Sequence, residues 1–153
     1  MDYIKIYLNL RKKEEAMNQD CIFCDIVDGE ALVWKIYEDE HFLAFLNINP
    51  ATKGHSLVIP KEHYPELLDL PEHELKHVMK VVQDVADVVV EATGADGFNV
   101  LQSNNPVAGQ EIFHIHFHII PRYHGDSVDI GWDAGDLQEE EAEDLLREIK
   151  GCM

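Results

Sequence analysis

The run Phe113-His114-Ile115-His116-Phe117-His118-Ile119-Ile120 alternates apolar and histidine side chains. Alternation is the period of a β-strand, whose successive side chains point to opposite faces of a sheet. The run therefore demands a sheet with two unlike faces. Phe113, Ile115, Phe117 and Ile119 form one, expected to pack on the core against a long helix. His114, His116 and His118 form the other. The strand is expected over 112–120, and Pro121 closes it.

The rest of the chain supplies partners for such a strand. Residues 33–38 and 42–46 are strand-like, with turn chemistry at Glu38-Asp39-Glu40 between them. Asn49-Pro50 marks a turn, and Gly54 precedes a further strand over 55–60. Pro71 opens a long helix near Glu72, with an apolar stripe at Leu75, Val78, Met79, Val82, Val85, Ala86 and Val89. Gly94 ends it. Residues 97–102 form the next strand, 103–109 a polar loop, and 136–150 a second helix with Ala142, Leu145, Leu146 and Ile149 on one face. The expectation is an α+β fold: a mostly antiparallel sheet of about five strands, one long helix and a C-terminal helix.

A chain of 153 residues, 46% of them hydrophobic, can bury one ordinary core and has little room for two. No apolar run approaches the roughly 18 residues of a membrane span, and the N-terminus lacks a signal-peptide core. A cytoplasmic protein with no membrane partner is expected. The first sixteen residues carry four cations against three acids in a chain of net charge −18. Residues 1–16 are read as an extension and 17–153 as the domain. The acidity argues against nucleic acid, whose backbone selects clustered Lys and Arg, and it repels anionic substrates at low salt.

The histidine face admits three readings. It can be a polar surface of satisfied histidines, or a metal centre built directly from His114, His116 and His118. It can also present one neutral imidazole as a nucleophile, its second nitrogen held by a hydrogen bond that fixes the tautomer. Cys21 and Cys24 form a C-x-x-C, which in a reducing compartment is a metal or redox pair. His73-Glu74-Leu75-Lys76-His77 spells the H-E-x-x-H of metalloproteases. On the helical wheel, however, its histidines fall opposite the apolar stripe, facing solvent rather than a cleft.

Three ordered blocks carry a resemblance. His114 to Ile120 resembles the His-φ-His-φ-His-φ-φ mark of the histidine triad family, with Gly109-Gln110 before it and Pro121-Arg122 after it. Gly54-His55-Ser56-Leu57-Val58-Ile59-Pro60-Lys61-Glu62-His63 is similar to the family's second block. Cys21-Ile22-Phe23-Cys24-Asp25-Ile26-Val27-Asp28-Gly29-Glu30 is similar to the opening of microbial members.

The resemblance implies a homodimeric enzyme that hydrolyses or transfers nucleotides at the α-phosphorus. His116 would be the nucleophile, forming a nucleotidyl-histidine that water resolves to a nucleoside monophosphate. His118 and His55 would hydrogen-bond the phosphate, with Gln110 and its loop adding contacts. Departures from the family pattern occur at Ser103, with Asn104 next to it, where members carry Asn or Gln. Glu111 stands where Ser or Thr is usual, and Asn47 where an acid binds ribose. In zinc-bearing relatives Cys21, Cys24, His63 and His114 would hold a structural zinc. Two alternatives remain: a nucleotide-binding regulator with little catalysis, and a metal-dependent hydrolase using the three strand histidines.

Overall fold

The computed structural model describes residues 21–153, so the expected extension 1–16 and the boundary at Met17 lie outside the described residues. The elements are α1 (Ile22–Val27), β1 (Lys35–Glu38), β2 (Phe42–Leu46), β3 (Ser56–Pro60), α2 (Glu72–Thr93), β4 (Gly97–Leu101), β5 (Phe117–Arg122) and α3 (Glu139–Gly151), with short 3-10 turns at Leu67–Asp69 and Pro106–Ala108. The five strands form one sheet in the order β1-β2-β3-β5-β4. Every pair is antiparallel. The fold is α+β, as expected.

Both faces of the central strands are covered, which explains their continuous apolar runs. Phe42 and Ala44 of β2, Val58 of β3, and Ile115, Phe117 and Ile119 pack against α2. Leu43, Phe45, Leu57 and Ile59 point the other way and meet Phe23 and Ile26 of α1. The apolar set of the histidine run thus packs on the long helix. Phe113 does not join it, being half exposed.

Two expectations shift by local chemistry. The last strand begins at Phe117 rather than at residue 112. Upstream, Ile115 N–H donates to Tyr64 O at 2.7 Å and the His114 carbonyl is taken by the His116 ring. Those groups are therefore not offered to a ladder with β3, where Pro60 has no N–H to return. The buried stripe of α2 is Glu74, Val78, Val81, Val82, Val85, Ala86 and Val89. Leu75 and Met79 sit on its edge, 37% and 45% exposed.

Pro71 and Gly94 bound α2 as expected, Gly94 in the left-handed conformation at φ 66°. Helix α3 starts at Glu139, three residues later than expected, and its Leu145, Leu146 and Ile149 are exposed.

Candidate active site and metal centre

The β2–β3 turn, the end of β4, the β4–β5 connection and α1 surround a cleft of about 550 Å³. Its polar lining includes Asn47, His55, Ser103, Glu111, His116 and His118, and its apolar wall includes Ile22, Phe23, Val33 and Phe45. Among the described residues no lysine or arginine lines it.

Hydrogen-bond partners fix the histidine tautomers. His116 Nδ1 lies 2.7 Å from the His114 carbonyl, an acceptor only, so Nδ1–H donates and Nε2 keeps its lone pair. The Ala51 N–H donates to His55 Nδ1 at 2.9 Å. His55 therefore carries its proton on Nε2 and donates it to His118 Nδ1, 2.9 Å away. That in turn places the His118 proton on Nε2, which is left as a donor. Burial keeps these rings neutral. It lowers the pKa of His55 and of His116, the latter partly offset by the bond to the His114 carbonyl. Burial and the neighbouring His116 and His55 push His118 down to about 4.

A separate cluster lies behind the cleft. The ligand atoms of Cys21, Cys24, His63 and His114 all fall within 4.8 Å of one another, a set that could hold a metal ion. His114 Nδ1 is 3.5 Å from Cys21 Sγ and 3.6 Å from Cys24 Sγ, and His63 Nδ1 is 3.3 Å from Cys24 Sγ. His114 Nε2–H donates to the Pro60 carbonyl at 2.8 Å, so the unprotonated Nδ1 faces the sulfurs. Burial, then Cys21 and the nearby Asp28 and Asp25, push the Cys24 thiol up to about 12. Phe23, inside the C-x-x-C, stacks edge-on against both His114 and His116, at 5.7 and 5.1 Å between centroids.

The structure separates the expected residues into three groups. His116, His118, His55, Asn47, Ser103 and Glu111 share the cleft. Cys21, Cys24, His63 and His114 share the cluster behind it. Gln110 and Asn104 do neither. Gln110 is buried, donating to the Pro65 and Ile112 carbonyls and accepting from Asn105 N–H. Asn104 accepts from Leu67 N–H and pairs with Gln102. Both side chains are spent on shaping the loop.

The three strand histidines do not converge, because His114 turns one nitrogen to the cysteines and the other to Pro60. The H-E-x-x-H stretch is not a metal face either. Glu74 is buried and His73 exposed, while His77 leans on Phe42 and bonds Asp39 at 3.0 Å. Ala51, Pro60 and Phe23 contact the candidate site and were missed by the sequence reading. Only Phe23 left a signal, its place inside the C-x-x-C.

The model of the HIT domain matches residues 29–125. The chain belongs to the histidine triad family. An uncharacterised HIT-like protein of Methanocaldococcus jannaschii is 47% identical over 131 residues, 86% of this chain and 99% of that one. The adenosine 5′-monophosphoramidase of Schizosaccharomyces pombe is 39% identical over 130 residues, 84% of this chain and 95% of that protein. A crystal structure of a zinc-bound histidine triad family protein from Mycobacterium smegmatis superposes with a TM-score of 0.69 at 37% identity, covering 89% of this chain and 99% of that one. Among the described residues no helix is long and apolar enough to cross a membrane.

Proposed function

We propose that this histidine triad protein is a nucleotide hydrolase or transferase acting at the α-phosphorus of nucleoside phosphoramidates or dinucleoside polyphosphates. The observation that carries the reading is the bond from His116 Nδ1 to the His114 carbonyl at 2.7 Å, which leaves a neutral imidazole with a free Nε2 in the cleft. The similarity to an adenosine 5′-monophosphoramidase supports it.

In the first step the Nε2 lone pair forms a bond to phosphorus. The bond to the leaving group breaks, and that group departs with the electron pair and a proton from solvent. In the second step water adds to phosphorus, the P–N bond to His116 breaks, the proton returns to solvent, and the nucleoside monophosphate leaves. The His118 Nε2–H serves the non-bridging phosphate oxygens, where charge is greatest in the transition state. His55 acts through His118: both its nitrogens are occupied, so it positions that donor and does not itself touch phosphate. Asn47 holds its own turn through Asn49 N–H at 2.9 Å and, with Ser103 and Glu111, faces the substrate.

The Cys21, Cys24, His63 and His114 cluster is assigned to structural zinc. Tetrahedral bonds of about 2.3 Å to sulfur and 2.0–2.1 Å to nitrogen separate S and N by about 3.6 Å. The observed separations of 3.3 to 3.6 Å fit that value. That the similar protein from Mycobacterium smegmatis is zinc-bound supports the reading. The ion would tie the residues around α1 to the histidine segment; no step of the reaction passes through it. The enzyme is read as a cytoplasmic homodimer, with β4 at an edge of the sheet exposing Phe98 and Val100.

The test is intact mass after rapid quench with an adenosine 5′-phosphoramidate, for wild type and His116→Ala. A nucleotide-sized adduct on wild type alone is expected. Nucleotide binding with neither adduct nor turnover would make the protein a regulator. Turnover surviving His116→Ala would remove the nucleophile.

A further inference from the structure

The cleft is unusual for a phosphate site in its charge. Among the described residues its lining holds histidines, amides, a hydroxyl and apolar side chains, but no lysine or arginine. The one lining side chain among the described residues that carries a formal charge is Glu111, and it is exposed to solvent within the cleft. The three cleft histidines are kept neutral by burial, so they add no full positive charge. Of the three only His118 has an N–H left for a ligand: His55 is bonded at both nitrogens, and His116 Nδ1–H is taken by the His114 carbonyl. The whole chain adds a field of the same sign as Glu111, at net charge −18.

Such a cleft can satisfy the single negative charge of one α-phosphate by hydrogen bonds. Among the described residues it offers a second anion no cation. A triphosphate or tetraphosphate bridge, a sulfate or a carboxylate on the leaving group would meet Glu111 with no cation among the described residues to offset it. An ammonium on the leaving group would meet a carboxylate. We propose that Glu111 sets the charge selectivity of the enzyme, so that it takes nucleoside phosphoramidates whose leaving amine carries a second, cationic amino group and discriminates against anionic leaving groups. This rests on the α-phosphorus reaction above and narrows its substrate class.

Two unit charges roughly 6 Å apart at an effective dielectric between water and protein surface change a rate about fivefold in either direction. The ammonium and carboxylate ends of one leaving-group skeleton should then differ by tenfold or more at low salt. The probes are three adenosine 5′-phosphoramidates, made from 1,4-diaminobutane, butylamine and 4-aminobutanoate. They have the same reacting bond and nearly the same length, and end in an ammonium, a methyl and a carboxylate.

For wild type, kcat/KM should fall in that order, mostly through KM because the contact exists before reaction. Glu111→Gln should bring the three within about twofold, Glu111→Lys should invert the order, and 0.5 M salt should flatten the wild-type preference. Diadenosine tetraphosphate should be a poorer substrate than the diaminobutane phosphoramidate, and Glu111→Lys should narrow that gap. Turnover of all three probes with a ratio that Glu111→Gln does not move overturns the selectivity and leaves the α-phosphorus reaction standing. A wild-type preference for the carboxylate probe does the same. Absence of both turnover and His116 adduct with every probe overturns the two together.

Discussion

Gly54→Ala tests how the sheet holds His55 in place. Gly54 has φ +88°, where a Cβ crowds the backbone at about 1–2 kcal/mol. A Cβ there would also lie 2.7 Å from Thr93 Cγ2, 3.2 Å from Pro121 Cγ and 3.3 Å from Val89 Cγ1. None of these atoms is the end of a flexible chain. Thr93 closes α2 with its hydroxyl on the Val89 carbonyl at 2.7 Å, and Pro121 sits in β5 with its carbonyl held by Thr52 at 2.6 Å. The turn must lift off both elements, an overpacking cost of about 1–3 kcal/mol. The loss is then about 2–5 kcal/mol.

With a urea slope of about 2 kcal/mol per molar, that moves the denaturation midpoint by roughly 1–2.5 M. Thr93→Ser deletes Cγ2 and keeps the hydroxyl bond. On its own it should cost under about 1 kcal/mol, but in the Gly54→Ala background it should recover about 1 kcal/mol of the steric share. Lifting the turn also stretches the 2.9 Å bond from His55 to His118, so kcat/KM should fall with stability. Urea titrations of the four proteins at one protein concentration give the cycle. A Gly54→Ala midpoint equal to wild type, or no coupling between positions 54 and 93, refutes the reasoning.

Val82→Ala should cost about 2 kcal/mol, because Val82 is fully buried against the sheet, whereas Leu75→Ala on the edge of the same helix should cost under about 1 kcal/mol. Comparable losses in urea would contradict the observed stripe. Metal analysis should find one zinc per chain, absent in Cys24→Ser, and chelation should lower the melting temperature by about 10 °C for a loss near 3 kcal/mol. A chelated protein that melts like the untreated one would remove the structural ion. His118 has its pKa pushed from 6.5 down to about 4, so between those values the unfolded chain takes up a proton that the folded site refuses. Stability therefore falls as pH drops through that window, by up to about 3 kcal/mol from this group. His118→Gln should lessen the difference in stability between pH 7 and pH 4.5, and an unchanged difference would sink the assignment.

What was legible in the sequence is what depends on period and on local backbone chemistry. The alternation at Phe117, His118 and Ile119 and the apolar run at Phe42–Leu46 have no other good solution than strands. Pro71 and Gly94 bound α2 because each acts on its own backbone. The helix stripe was less readable. Leu75 and Met79 share the spacing of Val78 and Val82, and a rotation of about one residue decides which of them is buried. Glu74 enters the buried set because His41, from the β1–β2 turn, meets its carboxylate at 3.0 Å, a partner 33 residues away in the chain. No local pattern encodes that pairing.

The site was legible in the same graded way. Residue types at His116, Cys21 and Cys24 announce chemistry, but a side chain's role depends on which of its atoms remain uncommitted after folding. Gln110 looked like a phosphate ligand, yet both ends of its amide are taken by the backbone of its own loop and of Pro65. His55 looked like a second phosphate contact, yet Ala51 N–H occupies one nitrogen and His118 the other. A buried donor or acceptor left empty costs about 1–3 kcal/mol, so the fold claims nearly every group that packing removes from water; Glu74 Oε2 is an exception among the described residues. What is left uncommitted in the cleft is the set proposed here to function: the His116 lone pair, the His118 Nε2–H, and the Glu111 carboxylate, exposed within the cleft. The first two follow from backbone carbonyls and amides that every sequence possesses, which is why the tautomers had to await the structure. Glu111 is visible in the sequence as a residue but not as a lone charge, because its meaning lies in the absence of lysine and arginine from the described walls around it.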